Sequence, residues 1–309
     1  MHGVLLLDKP LGLTSNDALQ KAKWLLRAEK AGHTGTLDPL ATGVLPLCFG
    51  AATKFSQIHL DADKTYEAVL RLGIRTTTAD AEGEVIAERP VVHTAERLAE
   101  VLRRFTGVIR QVPPMHSALK KDGRALYEYA RAGIEVERTA REVEIFRLEL
   151  LDSSEKWSYP AIKIRVSCSK GTYIRTLGED IGEALGCGAH LASLRRIATG
   201  PFGLDRCVTL ATLEAMDEAQ REACLLPVAT LLTCHSPVSL SAPDAARFLS
   251  GVRRRGAWPN QTQVAVHGPD GSLLGTAQVR AGELIPTRLL NPMEIDQILK
   301  TLPPALCAA

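Results

Sequence analysis

Ala31-Gly32-His33-Thr34-Gly35-Thr36-Leu37-Asp38-Pro39-Leu40-Ala41-Thr42-Gly43-Val44-Leu45-Pro46-Leu47-Cys48-Phe49-Gly50 is the stretch around which this 309-residue chain is organised. Its four glycines and two prolines make most of it loop, running into an apolar strand at 44–49. One carboxylate, Asp38, lies in the loop between Leu37 and Pro39. Pro39 fixes its own φ and biases Asp38 toward extended backbone, so the carboxylate is stiffly aimed and partly shielded from water. Asp-Pro pairs also open ordinary turns, and taken alone this one says no more than that.

Upstream, residues 3–7 read as a buried strand ending in Asp8-Lys9-Pro10-Leu11-Gly12-Leu13-Thr14-Ser15. Thr14, Ser15 or Asn16 caps a helix whose apolar face is Ala18, Leu19, Ala22, Leu25 and Leu26. Lys21, Lys23, Arg27 and Lys30 oppose a single Glu29 on its other side; such a face is usually just solvated, but it also suits phosphate. Downstream, 65–72 alternates Tyr66, Ala68, Leu70 and Leu72 with polar residues, as a half-buried strand does. Residues 76–83 are polar loop. A helix opens at Thr94-Ala95-Glu96, carries Leu98, Val101, Leu102 and Phe105, and stops at Gly107.

Residues 111–141 show little hydrophobic period before 126–130 and carry Lys120, Lys121, Arg124, Arg131, Arg138 and Arg141. They read as a basic, flexible insertion. Two strands follow, 143–151 and 161–168. In Ser169-Lys170-Gly171-Thr172-Tyr173-Ile174-Arg175, Thr172 caps a helix with Ile174, Leu177, Ile181 and Leu185 inward and Gly186 as its end. Arg175 lies off that stripe near the helix start, where the dipole disfavours a cation, so an anionic partner is expected. Beyond 236 the pattern changes to short strands at 238–240, 263–267, 273–280 and 283–290, with turns at Pro269-Asp270-Gly271 and Ala281-Gly282. They predict a small β-rich barrel.

Composition excludes several classes. No apolar run reaches transmembrane length, and Asp8-Lys9 comes too early for a signal peptide. Seven cysteines are scattered without a CxxC pair, which predicts a reducing cytoplasmic setting without disulfides or zinc. Cys187-Gly-Ala-His190 lacks a second ligand pair. The net charge of +2 gives little support to a polyanionic partner, so any phosphate-binding surface has to come from local segregation of charge.

The string Gly-His-Thr-Gly-x-Leu-Asp-Pro-x-Ala-Thr-Gly-x-Leu-Pro, with Gly50 and Thr53-Lys54 after it, resembles the active-site signature of the TruB family of pseudouridine synthases, which isomerise uridine 55 in the tRNA T loop. The resemblance extends to Val4-Leu-Leu-Leu-Asp-Lys-Pro-x-Gly-x-Thr-Ser, Asp63-Lys64-x-Tyr66, Cys168-Ser-Lys-Gly-Thr-Tyr-Ile-Arg and Leu191-x-x-Leu194-Arg195-Arg196. It departs at Thr77, where relatives often carry Asp.

The resemblance implies an α+β catalytic domain over 1–235, with a mixed, largely antiparallel central sheet flanked by helices. A PUA-like RNA-binding barrel would follow over 236–309, and 111–141 would be a mobile thumb closing on the T arm. Asp38 becomes the catalytic carboxylate, Arg175 its partner, and Tyr66 the ring stacked on the target uracil. His33 would fill the gap the flipped base leaves, while Tyr173, Leu194 and Lys64 complete the pocket. Lys9, Pro10, Gly35 and Leu37 support the loop. Lys21, Lys23, Lys120, Lys121, Arg124, Arg195, Arg253 and Arg254 are backbone-phosphate candidates, the last two in the basic loop Gly251-Val-Arg253-Arg254-Arg255.

Pseudouridine formation breaks the C1′–N1 bond and rejoins the base through C5. No redox change occurs and no group is lost, so no cofactor or metal is called for. The base must leave its stack, at about a few kcal/mol. Asp38 must stay ionised; burial raises a carboxyl pKa and a bonded Arg175 lowers it. The carboxylate then attacks C1′, adds to C6, or removes the 2′ proton, and the sequence leaves these roles open. Tyr66 restricts rotation of the freed base or takes the C5 proton. A monomer acting on the T arm is expected. Competing expectations are a non-catalytic tRNA chaperone on the same fold, disfavoured by the intact Asp38, and a guide-RNA-dependent relative, disfavoured by the short uncharged end Leu306-Cys-Ala-Ala. A metal-dependent hydrolase using Cys187 and His190 lacks a ligand set.

Overall fold

The computed structural model describes residues 1–152 and 160–301. Its largest element is a ten-stranded mixed sheet. The long strands are β1 (Gly3–Lys9), β2 (Ala41–Phe49), β3 (Lys64–Leu72), β4 (Gly107–Gln111), β5 (Arg141–Asp152), β6 (Ala161–Cys168) and β7 (Ala189–Thr199). Their spatial order is β1-β2-β7-β3-β6-β5-β4. β2 runs parallel to β7, and the other neighbours among these seven are antiparallel. The two-residue period holds in β3, whose Tyr66, Ala68, Leu70 and Leu72 are buried.

Three helices cover the face that carries this stripe: α1 (Ser15–Leu25), α2 (Ala95–Arg104) and α3 (Ile174–Leu185). Thr14 caps α1 in a reciprocal capping box with Asp17. Ala18, Leu19, Ala22, Leu98, Val101, Ile174, Leu177 and Ile181 join Leu70 and Ile164 in one apolar cluster. Burying such side chains supplies most of the fold's driving force, at about 25 cal/mol per Å².

Several sequence-based expectations are corrected. Thr172 does not cap α3; its hydroxyl donates back to the carbonyl of Ser169, and Tyr173 holds the N-cap position without a side-chain bond. Gly107 opens β4 at φ +95° instead of stopping α2, which Phe105 closes. The 76–83 loop is flanked by a small hairpin, Ile74–Thr76 with Val85–Glu88. Residues 111–141 are not bare loop: they hold a hairpin at Lys120–Lys121 and Arg124–Ala125 and a helix at Leu126–Arg131, anchored by buried Ala125 and Leu126.

After residue 235 come β8 (Ser236–Ser239), α4 (Ala242–Leu249), β9 (Gln261–His267), β10 (Leu273–Arg280), β11 (Glu283–Leu289) and α5 (Pro292–Thr301). The five strands form one curled sheet, a half-barrel, with Arg254–Arg255 as the strand at one edge. Both residues of the β10–β11 turn, Ala281 and Gly282, take positive φ, as a tight hairpin requires. The unforeseen α4 supplies Ala245 and Phe248 to the small core. Ala265, Leu273 and Leu290 join Val4, Leu6, Val44 and Phe55 in a second apolar cluster, so the C-terminal sheet shares a core with β1 and β2. Lys54 reinforces that seam, pairing with Glu294 at 2.6 Å and donating to the Leu289 carbonyl at 3.0 Å.

Candidate active site

Asp38 lies on the loop 34–40 between the short strand Ala31–His33 and β2. Four backbone tethers fix that loop. Buried Ser15, at the start of α1, accepts from the Leu37 amide at 2.7 Å and donates to the Leu37 carbonyl at 3.0 Å. Gly12 N donates to Pro39 O at 2.9 Å, and Ala41 N to Asp38 O at 3.0 Å. Lys9 is wholly buried beneath the turn and sends Nζ to the carbonyls of Pro10 and Leu13. Gly43 is demanded by close approach: a Cβ there would stand 2.1 Å from the Arg196 carbonyl on β7.

The loop forms one side of a cleft of about 510 Å³, whose other sides come from β3, β7, the start of α3 and the 117–119 segment. Arg175 is 6% exposed, and its Nη2 lies 3.0 Å from Oδ2 of Asp38. Its Nη1 lies 3.5 Å from Oδ2 of Asp80, a side chain only 4% exposed. The same guanidinium donates to the carbonyls of His116 at 2.6 Å and Thr78 at 3.5 Å. The anion expected opposite this cation is therefore two carboxylates.

Asp38 keeps 42% of its side-chain surface open to the cleft. Loss of water around it nevertheless raises its pKa; Arg175 pulls it back down, and the neighbouring Asp80 charge pushes it up again.

Tyr66 and Arg196 face each other in the β3–β7 register. Both line the cleft, as do Leu194, Tyr173 and Lys64. Burial raises the pKa of the Tyr66 phenol, and Arg196, bonded to its hydroxyl, opposes that rise. Lys64 is nearly buried and donates Nζ to the carbonyls of Leu60 and Ala62. Its pKa falls to about 8, mainly through burial and then through repulsion by Arg196. Tyr173 is fixed from β4: buried Gln111 accepts from the Tyr173 amide at 3.1 Å and donates to its carbonyl at 3.3 Å. This amide pair fixes the backbone at the start of α3 without capping its first-turn amides.

Gly35 and Leu37 also line the cleft, whereas His33 and the phosphate candidates are not among its lining residues. His33 is half-buried on the strand leading into the loop, with Nδ1 lacking a partner. Lys21 is exposed on α1 and Lys23 half-exposed. Lys120, Lys121 and Arg124 are exposed on the 111–141 hairpin. Arg124 pairs with Glu128 and stacks over Tyr129 at 4.8 Å. Arg195 is held by both oxygens of Asp8, at 3.1 and 2.7 Å. Arg254 pairs with Asp244, and Arg253 and Arg255 with Glu283, so the C-terminal basic loop is largely neutralised within the protein. Cys187 and His190 face backbone carbonyls, of Gly182 and Ile74.

Asp80 and Gln111 went unassigned in the sequence, and Arg196 entered only as part of the Leu191–Arg196 motif that the resemblance places along the uracil pocket, with no role of its own. The Arg195-Arg196 doublet did hold a signal, because a strand turns neighbouring side chains to opposite faces. Asp80 offered only a carboxylate in a polar loop. Nothing local marked Gln111.

Residues 23–174 match the N-terminal domain of the TruB family pseudouridylate synthases. Residues 175–233 match the tRNA pseudouridylate synthase B C-terminal domain, and 236–290 the C-terminal part of pseudouridine synthase II TruB. The tRNA pseudouridine synthase B of Verminephrobacter eiseniae is 63% identical over 307 residues, covering 98% of this chain and 93% of that protein. The protein of the same name from Ralstonia nicotianae is 61% identical over 297 residues, covering 94% and 95%. In fold, the chain resembles one from an H/ACA RNP bound to a substrate RNA containing 2′-deoxyuridine. The TM-score is 0.70 at 24% identity, over 95% of this chain and 86% of that one. Signature, sheet and relatives agree: the chain belongs to the TruB family of pseudouridylate synthases.

Proposed function

We propose that this protein converts uridine 55 in the T loop of tRNA to pseudouridine, with Asp38 as the catalytic carboxylate. The observation that carries this reading is the pairing of Asp38 with a buried arginine at 3.0 Å, on a tethered loop facing a cleft. The relatives named tRNA pseudouridine synthase B support tRNA as the substrate. The cleft volume of about 510 Å³ suits a flipped base with its ribose.

In the bound state Arg175 holds Asp38 ionised and turned toward the ribose. Tyr66 and Leu194 sandwich the base, and Tyr173 closes the side. The C1′–N1 bond breaks, the base turns between these walls, and C5 takes the place of N1. Asp38 serves this exchange at C1′, at C6 or at the 2′ proton. The exposed cations of the 120–124 hairpin face the T arm, and residues 236–309 form a further RNA-binding unit beside the catalytic domain.

Product mapping on an unmodified tRNA transcript tests the proposal, with wild type and Asp38→Asn side by side. Pseudouridine at position 55 with wild type alone is expected. Pseudouridine from the variant would remove Asp38 from the chemistry. Tight binding without product from either protein would point to a tRNA chaperone.

A further inference from the structure

Arg196 is the largest of the wholly buried side chains, 1% exposed, and it lines the cleft. Its Nε donates to the Val44 carbonyl at 2.7 Å and its Nη2 to the Gly35 carbonyl at 3.1 Å. Among the described residues no carboxylate pairs with it. Lys64 lies beside it, 8% exposed, with backbone carbonyls as partners; among the described residues no acid pairs with it directly, although the charges of Asp61 and Asp63 reach it. Two like charges are thus buried side by side, although an uncompensated buried ion is strongly unfavourable. A neutral amide donor would satisfy the same carbonyls. The carbonyl bonds therefore account for two donors here and leave the charges unexplained.

Asp38 lines the same cleft, paired with Arg175, whose guanidinium also meets Asp80. The two carboxylates thus share one cation, Arg175, while Arg196 and Lys64, the cleft's floor, bond to carbonyls. Tyr66, the pocket's buried phenol, stands against Arg196 on the floor side.

We infer that Arg196 and Lys64 form a cationic floor that stabilises the uracil as an anion while it is detached from the ribose. The role rests on the pseudouridine-forming reaction proposed above. When C1′–N1 breaks, its electron pair leaves with the base and spreads over N1, O2 and O4. C5 then bonds to C1′, the C5 proton departs and N1 gains one, so no oxidant or reductant enters. Asp38 acts at the sugar side of that bond and the floor at the base side, and the field between them pulls the electron pair toward the base. Fixed charges in a site closed to water are well suited to such developing charge.

A leaving-group comparison tests this. Single-turnover consumption of the target nucleoside is followed in tRNA transcripts carrying uridine or 5-fluorouridine, whose electron-withdrawing fluorine stabilises the detached anion by itself. Arg196→Met is expected to slow uridine consumption on the order of 10²–10³-fold and 5-fluorouridine consumption at least tenfold less, with tRNA affinity within a few-fold of wild type. Arg196→Lys, which keeps the charge, is expected to recover most of the uridine rate. An equal loss on both bases, or a Lys variant as slow as Met, would reduce Arg196 to a tie between β7 and the 34–40 loop and overturn the inference. Should Arg196→Met fail to fold, Lys64→Met makes the same comparison. Wild-type protein that leaves uridine untouched would overturn the reaction itself, and this role with it.

Discussion

Arg175 and Arg196 are both buried and both line one cleft, yet they are held in opposite ways. Arg175 sits between two carboxylates, Asp38 and Asp80. Arg196 has backbone carbonyls and a phenol around it. The acidic wall uses its cation to orient a carboxylate, so little positive charge is left over for a ligand. The floor keeps its charge uncompensated. The contrast teaches that a net charge of +2 conceals strong segregation at the scale of a single base.

The contrast is broken most severely at the wall. Arg175→Met leaves Asp80 buried without a counter-ion, and removing one partner of a buried pair costs about 3–5 kcal/mol. Urea unfolding should register that loss, and turnover should fall by about 10³-fold or more as Asp38 loses its orientation. Arg196→Met should be milder in stability. Its lost carbonyl bonds, about 1.5–3 kcal/mol each for a charged donor, are offset by removal of an unpaired buried ion. Equal stability losses in the two variants would show that the wall and floor arginines are held alike after all.

Asp80 allows a subtler intervention. Its charge raises the pKa of Asp38, while its contact steadies Arg175. Asp80→Asn should therefore lower the plateau rate, by about 10²-fold, and move the acid limb of the pH–rate profile to lower pH. The sign is fixed: with less negative charge nearby, Asp38 ionises more readily, so activity survives further into acid. An acid limb moving upward would mean that Arg175 had swung away from Asp38, reversing the balance of causes.

Gln111 is a gentler probe of the wall. Gln111→Leu removes both bonds to the Tyr173 backbone and leaves its amide unpaired, while its carbonyl keeps the bond from the Leu177 amide, at about 1–3 kcal/mol. A fall of about tenfold in single-turnover rate with unchanged tRNA affinity is expected. Gln111→Glu retains the bond from the Tyr173 amide and loses the other, so its rate should lie between.

Much of this organisation is legible in the sequence, for identifiable reasons. The alternation in β3 and β6 and the spacing of Ile174, Leu177 and Ile181 follow directly from sheet and helix periods. The 34–40 loop announces itself by composition, although the same glycines and prolines hide the start of β2 at Ala41. Asp38 and Arg175 meet across 137 residues; family resemblance suggested the pair, and no local pattern could have. Asp80 and Gln111 act through single long-range contacts that leave no period behind. In the C-terminal part, Arg253, Arg254 and Arg255 read as a free basic loop only because Asp244 and Glu283 are distant in the chain. Helix α4 had a legible start, with Ser241 at its N-cap and Pro243 in its first turn; the strand-rich surroundings masked it.

The finest test of the floor is a matter of pH. Lys64 and Lys9 each have a pKa near 8, lowered chiefly by burial. Below that value both are charged; above it the charge leaves, well before an exposed lysine would lose it. If the floor stabilises an anionic base, the rate should decline above about pH 8 as Lys64 becomes neutral. Lys64→Arg carries a charge that does not titrate in this window, so its profile should stay flatter, by about two- to three-fold at pH 9. Part of the decline should persist, because Lys9 beneath the Asp38 loop titrates over the same range. A variant with the full wild-type decline would assign the alkaline limb to Lys9 and the acidic wall. One with no decline at all would assign it to the floor alone.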